Sequence, residues 1–142
     1  MKKLFLMATL VAAFMLSSCS KTPKPILQIA DEFRTEMAEQ SDEGMAFQSV
    51  ELEDHAIVIT AELDESSFEG MSFKDAFAIV GVDEEFLTNE MKKNFFEDLD
   101  EQDKEQIEAL RKYQYDIVFR FVGSESKDVM EAKLSYEDLP KF

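Results

Sequence analysis

The residues of this chain that could carry chemistry are one histidine, one cysteine and 31 carboxylates. His55 follows Asp54, and a Ser-His-Asp mechanism needs its histidine beside an activated serine. Hydroxyls exist at Ser66, Ser67 and Ser72, but the chain contains no Gly-x-Ser-x-Gly nucleophile elbow. We therefore interpret His55 as an exposed residue beside a turn and assign no catalytic residue.

Metal binding is weakly supported by the ligand types present. One histidine and one cysteine cannot complete the usual nitrogen and sulfur shell of zinc. The run Asp98-Leu99-Asp100-Glu101-Gln102-Asp103 has acids at loop-like spacing, but an EF-hand loop counted from Asp98 needs a glycine at its sixth position and a glutamate at its twelfth. Those positions hold Asp103 and Ala109. We interpret Asp100 as the cap of a helix that begins at Glu101, and we predict no metal or cofactor site.

The carboxylates leave two alternatives open. A glycoside hydrolase needs two acids that flank one bond, and nothing in the sequence singles out such a pair. A divalent-cation-binding protein is the other alternative.

The Phe and Tyr residues fall mainly in periodic rows that predict a core, so an aromatic ligand groove would require that some of them are exposed.

The N-terminus has the layout of a secretory signal peptide. Lys2 and Lys3 precede an apolar run that ends at Leu16, and two serines then lead to Cys19. The run is about a dozen residues long, whereas a membrane-spanning helix needs roughly 20. The pattern predicts that this segment directs export.

Leu16-Ser17-Ser18-Cys19 resembles the lipobox of bacterial lipoproteins, in which an aliphatic residue and two small residues precede a cysteine. The resemblance implies that a signal peptide of residues 1–18 is cleaved and that Cys19 carries diacylglycerol and a further acyl chain such as palmitate. Two or more acyl chains give stable attachment, so the expected location is the cell envelope. If the source is a Gram-negative bacterium, the sorting habits of that family, with Ser20 in place of an aspartate, imply the outer membrane or a periplasm-facing location.

The charge of the mature chain limits its partners. Removing residues 1–18 takes two lysines and no acid, which leaves 13 basic and 31 acidic residues and a net charge of −18. This excess of acids argues against nucleic acid, whose phosphates require Lys and Arg, and against attraction to anionic lipid. Solubility is the main interpretation of the acidity. Membrane attachment is expected through the lipid, with an envelope protein as the candidate partner.

The chain that remains after removal of residues 1–18 is long enough for one domain. Residues 19–25 are predicted to form a lipidated tether, because Pro23 and Pro25 disfavour a helix there. Residues 26–142 are predicted to form a single α+β domain that starts with an amphipathic helix from Ile26 to about Gln40.

Alternating apolar residues predict two hairpins. The first pairs Met45–Leu52 with His55–Leu63, and the second pairs a strand over 113–122 with one over 129–136. Three helices between the hairpins are predicted to start after the caps Ser72, Asp83 and Asp100. This order predicts an antiparallel sheet of about four strands with helices packed on one face.

The segments Leu52-x-x-His55-Ala-Ile-Val-Ile and Tyr115-Asp-Ile-Val-Phe-Arg-Phe are similar to those of small bacterial lipoproteins of unassigned function. That similarity implies a fold rather than an activity. The function predicted from the sequence is a non-catalytic binding or interaction domain anchored at the cell envelope.

Overall fold

The computed structural model describes residues 22–39 and 44–142. The predicted signal peptide and Cys19 lie outside these residues. None of the helices in the described ranges has the length and apolar character needed to cross a membrane.

Five helical segments and four strands follow one another within residues 22–39 and 44–142. They are α1 (Lys24–Glu39), β1 (Met45–Glu53), β2 (Ala56–Leu63), α2 (Phe73–Ile79), α3 (Glu84–Phe95), α4 (Glu101–Tyr113), β3 (Asp116–Gly123), β4 (Val129–Leu134) and a 3-10 turn (Tyr136–Asp138). Several boundaries differ from the predicted ones, and two of these differences lie at helix ends. Helix α1 already includes Lys24 and Pro25, because a proline in the first turn lacks only an N–H that would have no intrahelical partner. Tyr113 ends α4 instead of starting β3.

The three predicted helix caps are confirmed. Ser72 accepts a hydrogen bond from the N–H of Asp75 at 3.2 Å, and Asp83 caps α3 in the same way. Asp100 accepts from the N–H of Asp103 at 2.8 Å, and the Asp103 carboxylate accepts from the N–H of Asp100 at 3.1 Å. This reciprocal capping box explains the acids that resembled a calcium loop.

The four strands form one sheet in the order β1-β2-β3-β4. This confirms the α+β class and both predicted hairpins, since β1–β2 and β3–β4 are antiparallel. The sheet is not antiparallel throughout, however, because β2 and β3 pair in parallel. The connection between them contains α2, α3 and α4, and such a long crossover returns the chain to the end of the sheet from which β2 started. Alternation within a strand carries no information about its direction, which is why the sequence pattern missed this pair.

The main cluster of the hydrophobic core lies on one face of the sheet. Ile57, Ile117 and Leu134 are aligned across three strands, and each of them is completely buried. Apolar residues of α1 and α4 pack against this face, namely Ile26, Ile29, Ala30, Phe33, Ile107 and Leu110. The predicted packing of helices on one face is therefore confirmed, and α1, α4 and the sheet together define a space that α3 borders.

Both outer strands have backbone groups that are bonded by helix side chains. On β1, the carbonyl of Val50 accepts hydrogen bonds from the guanidinium of Arg34 at 2.8 and 3.2 Å. On β4, the N–H of Glu131 donates to the carboxylate of Glu84 at 2.8 Å. Covering an edge in this way blocks pairing with a further strand. The side chains of α1 and α3 thus hold these helices at opposite edges of the sheet.

Candidate functional site

A cavity of about 560 Å³ lies between α1, α3, α4 and the apolar face of the sheet. We call it the helix–sheet groove. Its apolar lining includes Phe33 and Met37 from α1, Leu87, Met91 and Phe95 from α3, Ile107 and Leu110 from α4, and Phe119, Phe121 and Ala132 from the sheet. Ligand sites are concave, mainly apolar and of about 300–1,000 Å³, so the groove has the size and lining of a binding site.

The groove stays open because α3 covers the sheet incompletely. Leu87, Met91 and Phe95 are spaced four residues apart and form one apolar row on this helix. No residue of α3 is fully buried, and the sheet residues Phe119 and Phe121 are only half-buried. These rings were expected in the core, and their partial exposure meets the condition for an aromatic ligand groove.

The mouth of the groove is acidic. Glu36, Glu97 and Asp103 lie among its lining residues, together with the amides of Asn94 and Gln106. No lysine, arginine or histidine lines the groove within the part of the chain that the structure describes. The groove therefore combines an apolar interior with a negatively charged entrance.

Glutamine amides hold one carboxylate next to this entrance. Glu32 of α1 accepts a hydrogen bond from the side chain of Gln102 at 2.9 Å and another from the side chain of Gln106. Partial burial raises the pKa of the neighbouring Glu36, and the negative charges of Glu32, Asp103 and Glu39 raise it further. Three further carboxylates thus add their negative charge around Glu36, in addition to the effect of burial.

A buried carboxylate outside the groove was missed by the sequence analysis. Glu65 is 1% exposed and accepts hydrogen bonds from the backbone N–H groups of Phe73, Glu125 and Ser126 at 2.7 to 2.9 Å. The Ser126 hydroxyl donates a fourth bond at 2.8 Å. Burial alone would raise the pKa of Glu65, but the bonds from Ser126, Phe73 and Glu125 outweigh it and lower the pKa to about 2.

Glu65 serves to join two loops. Its own N–H donates to the hydroxyl of Ser124 at 2.9 Å, so it links the segment after β2 to the β3–β4 turn and to the start of α2. Both carboxylate oxygens are occupied by donors, and Glu65 lines neither of the two cavities described here. We assign it a structural role. Nothing in the local sequence separates Glu65 from the other acids, so no pattern could have identified it.

The residues considered for nucleophilic catalysis are not joined by hydrogen bonds. His55 is exposed in the β1–β2 turn, as predicted, and its ring lies 5.0 Å from that of Tyr115. Ser72 caps α2, and the N–H of Ser66 donates to Asp64 at 3.0 Å. Among the described residues, no hydrogen bond connects His55 to a serine.

The acids also provide little geometry for a metal or for paired-carboxylate chemistry. Across residues 22–39 and 44–142, no group of three or more His, Cys, Asp or Glu side chains is arranged to hold a metal ion. Glu36 and Asp103 line the same groove, but the Asp103 carboxylate is engaged in capping α4. The hydrolase and divalent-cation alternatives gain no specific support.

A second cavity of about 560 Å³ lies beside α3 on the opposite side of β4. It is more open, and its lining includes the charged residues Glu84, Glu85, Lys92 and Lys133. Both lysines form ion pairs, Lys92 with Asp138 and Lys133 with Asp116. Its charges are largely satisfied within the protein, so the helix–sheet groove is the better candidate.

Comparison with known proteins provides no relative from which a function could be transferred. No family model matches the chain, no curated protein matches its sequence, and no solved structure matches it. The groove and the predicted anchor are therefore the features of the protein from which a function can be inferred.

Proposed function

We propose that this chain is a lipid-anchored, non-catalytic binding domain of the cell envelope whose ligand occupies the helix–sheet groove. The observation that carries this proposal is the opening left on the core face, where half-buried Phe119, Phe121 and Met91 line a cavity of ligand size. Leaving such apolar side chains accessible to water forgoes about 25 cal/mol for each Å² that could be buried. A ligand in the groove would recover that free energy.

The lipobox supports the anchored part of the proposal. Cys19 precedes the first helical residue, Lys24, by five positions. Five extended residues span at most about 18 Å, so acyl chains on Cys19 would keep α1 close to the bilayer. The net charge of the mature chain would at the same time oppose adsorption of the domain onto anionic lipid. The domain would then be held beside the membrane with its groove exposed.

The anchor is tested by Cys19→Ala and fractionation of cells that express the full chain. We expect the parent protein in the membrane fraction and a substantial part of the variant in the soluble fraction, because the acceptor thiol is gone. Membrane attachment unchanged by the substitution would refute the lipid anchor.

The groove is tested with 1-octanol as a neutral apolar probe. The lipidated full-length protein is placed in phosphatidylcholine nanodiscs, and heats of binding are measured against empty nanodiscs. Met91→Trp should weaken octanol binding at least tenfold by filling the groove. Asn89→Trp is the matched control, since Asn89 is exposed on the same helix and lies outside the groove. No octanol binding by the parent, or equal binding by both variants, would contradict the proposal.

A further inference from the structure

We infer that the helix–sheet groove takes a small amphiphile with an apolar body and a cationic head, such as an alkylammonium ion. This inference rests on the proposed function and specifies the chemistry of its ligand. It follows from three features of the groove, which are its apolar interior, its acidic mouth and two aromatic rings in its lining.

The interior of the groove selects for an apolar body. Ile107 and Leu110 are 2% and 1% exposed, and together with Ala132 they form part of the lining. These side chains offer no hydrogen-bonding group, so a polar ligand atom placed against them would lose its water without gaining a partner. An alkyl chain carries no such cost.

The mouth selects for positive charge. The ion pairs among residues 22–39 and 44–142 involve other acids, and none of them includes Glu36, Glu97 or Asp103. Glu32, which lies beside this mouth, is bonded by neutral glutamine amides and by no cation in this part of the chain. The repulsion among these acids is thus left uncompensated, as the raised pKa of Glu36 also indicates. A cation at the mouth would relieve the repulsion, whereas an anionic head would increase it.

Two aromatic rings lie in the lining between α1 and α3. The rings of Phe33 and Phe95 have centroids 6.1 Å apart and are tilted by 47°. Ammonium groups bind to the faces of aromatic rings, and this attraction strengthens where water is excluded. Phe33 and Phe95 are both lining residues of the groove, so a cationic head bound there would meet aromatic rings as well as carboxylates.

The size of the cavity favours a small molecule over a protein segment. A volume of about 560 Å³ falls within the range of small-ligand sites. A docked amphipathic helix would instead need a groove long enough for anchors over two or more turns.

The test compares three probes that carry an eight-carbon chain, and tetramethylammonium, which lacks that chain, on the full-length lipidated protein in phosphatidylcholine nanodiscs, with empty nanodiscs as the reference. We expect octyltrimethylammonium to bind more tightly than 1-octanol, and octanoate to bind most weakly. Glu36→Gln combined with Glu97→Gln should weaken octyltrimethylammonium binding by about two- to fivefold for each charge removed, as for exposed ion pairs. Octanol binding should be unchanged. Glu85→Gln, which removes an exposed α3 carboxylate outside the groove, should alter neither.

The outcomes separate this inference from the proposed function. If no probe binds, both fail. If octanol binds as tightly as octyltrimethylammonium, or if the Glu36 and Glu97 substitutions leave the preference for the cation unchanged, the inference fails while the binding function stands. Tetramethylammonium that binds as tightly as octyltrimethylammonium would also overturn it, because the apolar body would then contribute nothing.

Discussion

Substitution of Gly123 by alanine tests the role assigned to Glu65. A Cβ at position 123 would overlap the Glu65 carboxylate and the Ser126 hydroxyl. The carboxylate would have to leave the donors that hold it, which include the N–H groups of Phe73 and Glu125. Overpacking at a tightly filled position typically costs about 1–3 kcal/mol. We therefore expect Gly123→Ala to lower the free energy of unfolding by about 2 kcal/mol.

Urea denaturation followed by circular dichroism measures this effect. With a slope of about 1.5 kcal/mol per molar urea, a loss of about 2 kcal/mol lowers the midpoint by about 1.3 M. The decisive comparison is a double-mutant cycle with Glu65→Ala, which removes the group that the new Cβ would displace. Gly123→Ala should cost much less in that background. Equal costs in the two backgrounds would refute the steric argument.

Two further predictions concern single carboxylates. Because the pKa of Glu65 is lowered to about 2 from an ordinary value of 4.5, its ionised form contributes stability that is fully present above pH 4.5 and is lost as the pH falls towards 2. Urea midpoints measured between pH 2 and 5 should fall more steeply with acid for the parent protein than for Glu65→Gln. Identical pH profiles for the two proteins would contradict the lowered pKa of Glu65. Asp100→Ala removes the capping box of α4 and should cost about 1 kcal/mol. Glu108→Ala, at an exposed position in the same helix, should change the urea midpoint little, and equal effects would argue against the cap.

The elements that could be predicted from the sequence are those decided by local interactions. Ser72, Asp83 and Asp100 each cap a helix with their own side chains, so their position in the sequence suffices. The strands were likewise predicted from alternation within each segment. The two-residue turn between β1 and β2 lies one position later in the chain than the predicted ends of the strands place it. Asp54 and His55 form it with φ angles of 36° and 60°, although no glycine marks the site.

The features that could not be predicted depend on residues far apart in the sequence. Glu65 binds donors near position 125, and its own segment shows only another acid in a polar loop. The groove depends on the position of α3 relative to the sheet. The apolar row of α3 resembles that of a fully packed helix, so the sequence does not indicate that α3 leaves part of the sheet uncovered. Parallel pairing of β2 with β3 is set by the path of the crossover, which no short pattern encodes.

The parallel pair at the centre of the sheet also determines the order in which the chain can fold. Each hairpin joins strands that are neighbours in sequence and can form within about 1–10 μs. Ile57 and Ile117 meet only after the three intervening helices have been placed, and contacts so distant in sequence form slowly. Until then, β2 and β3 each present an unpaired edge that no helix covers, unlike the edges bonded by Arg34 and Glu84 in the finished sheet. A partly folded chain in which both hairpins have formed but β2 and β3 are still unpaired would therefore be the state most exposed to aggregation.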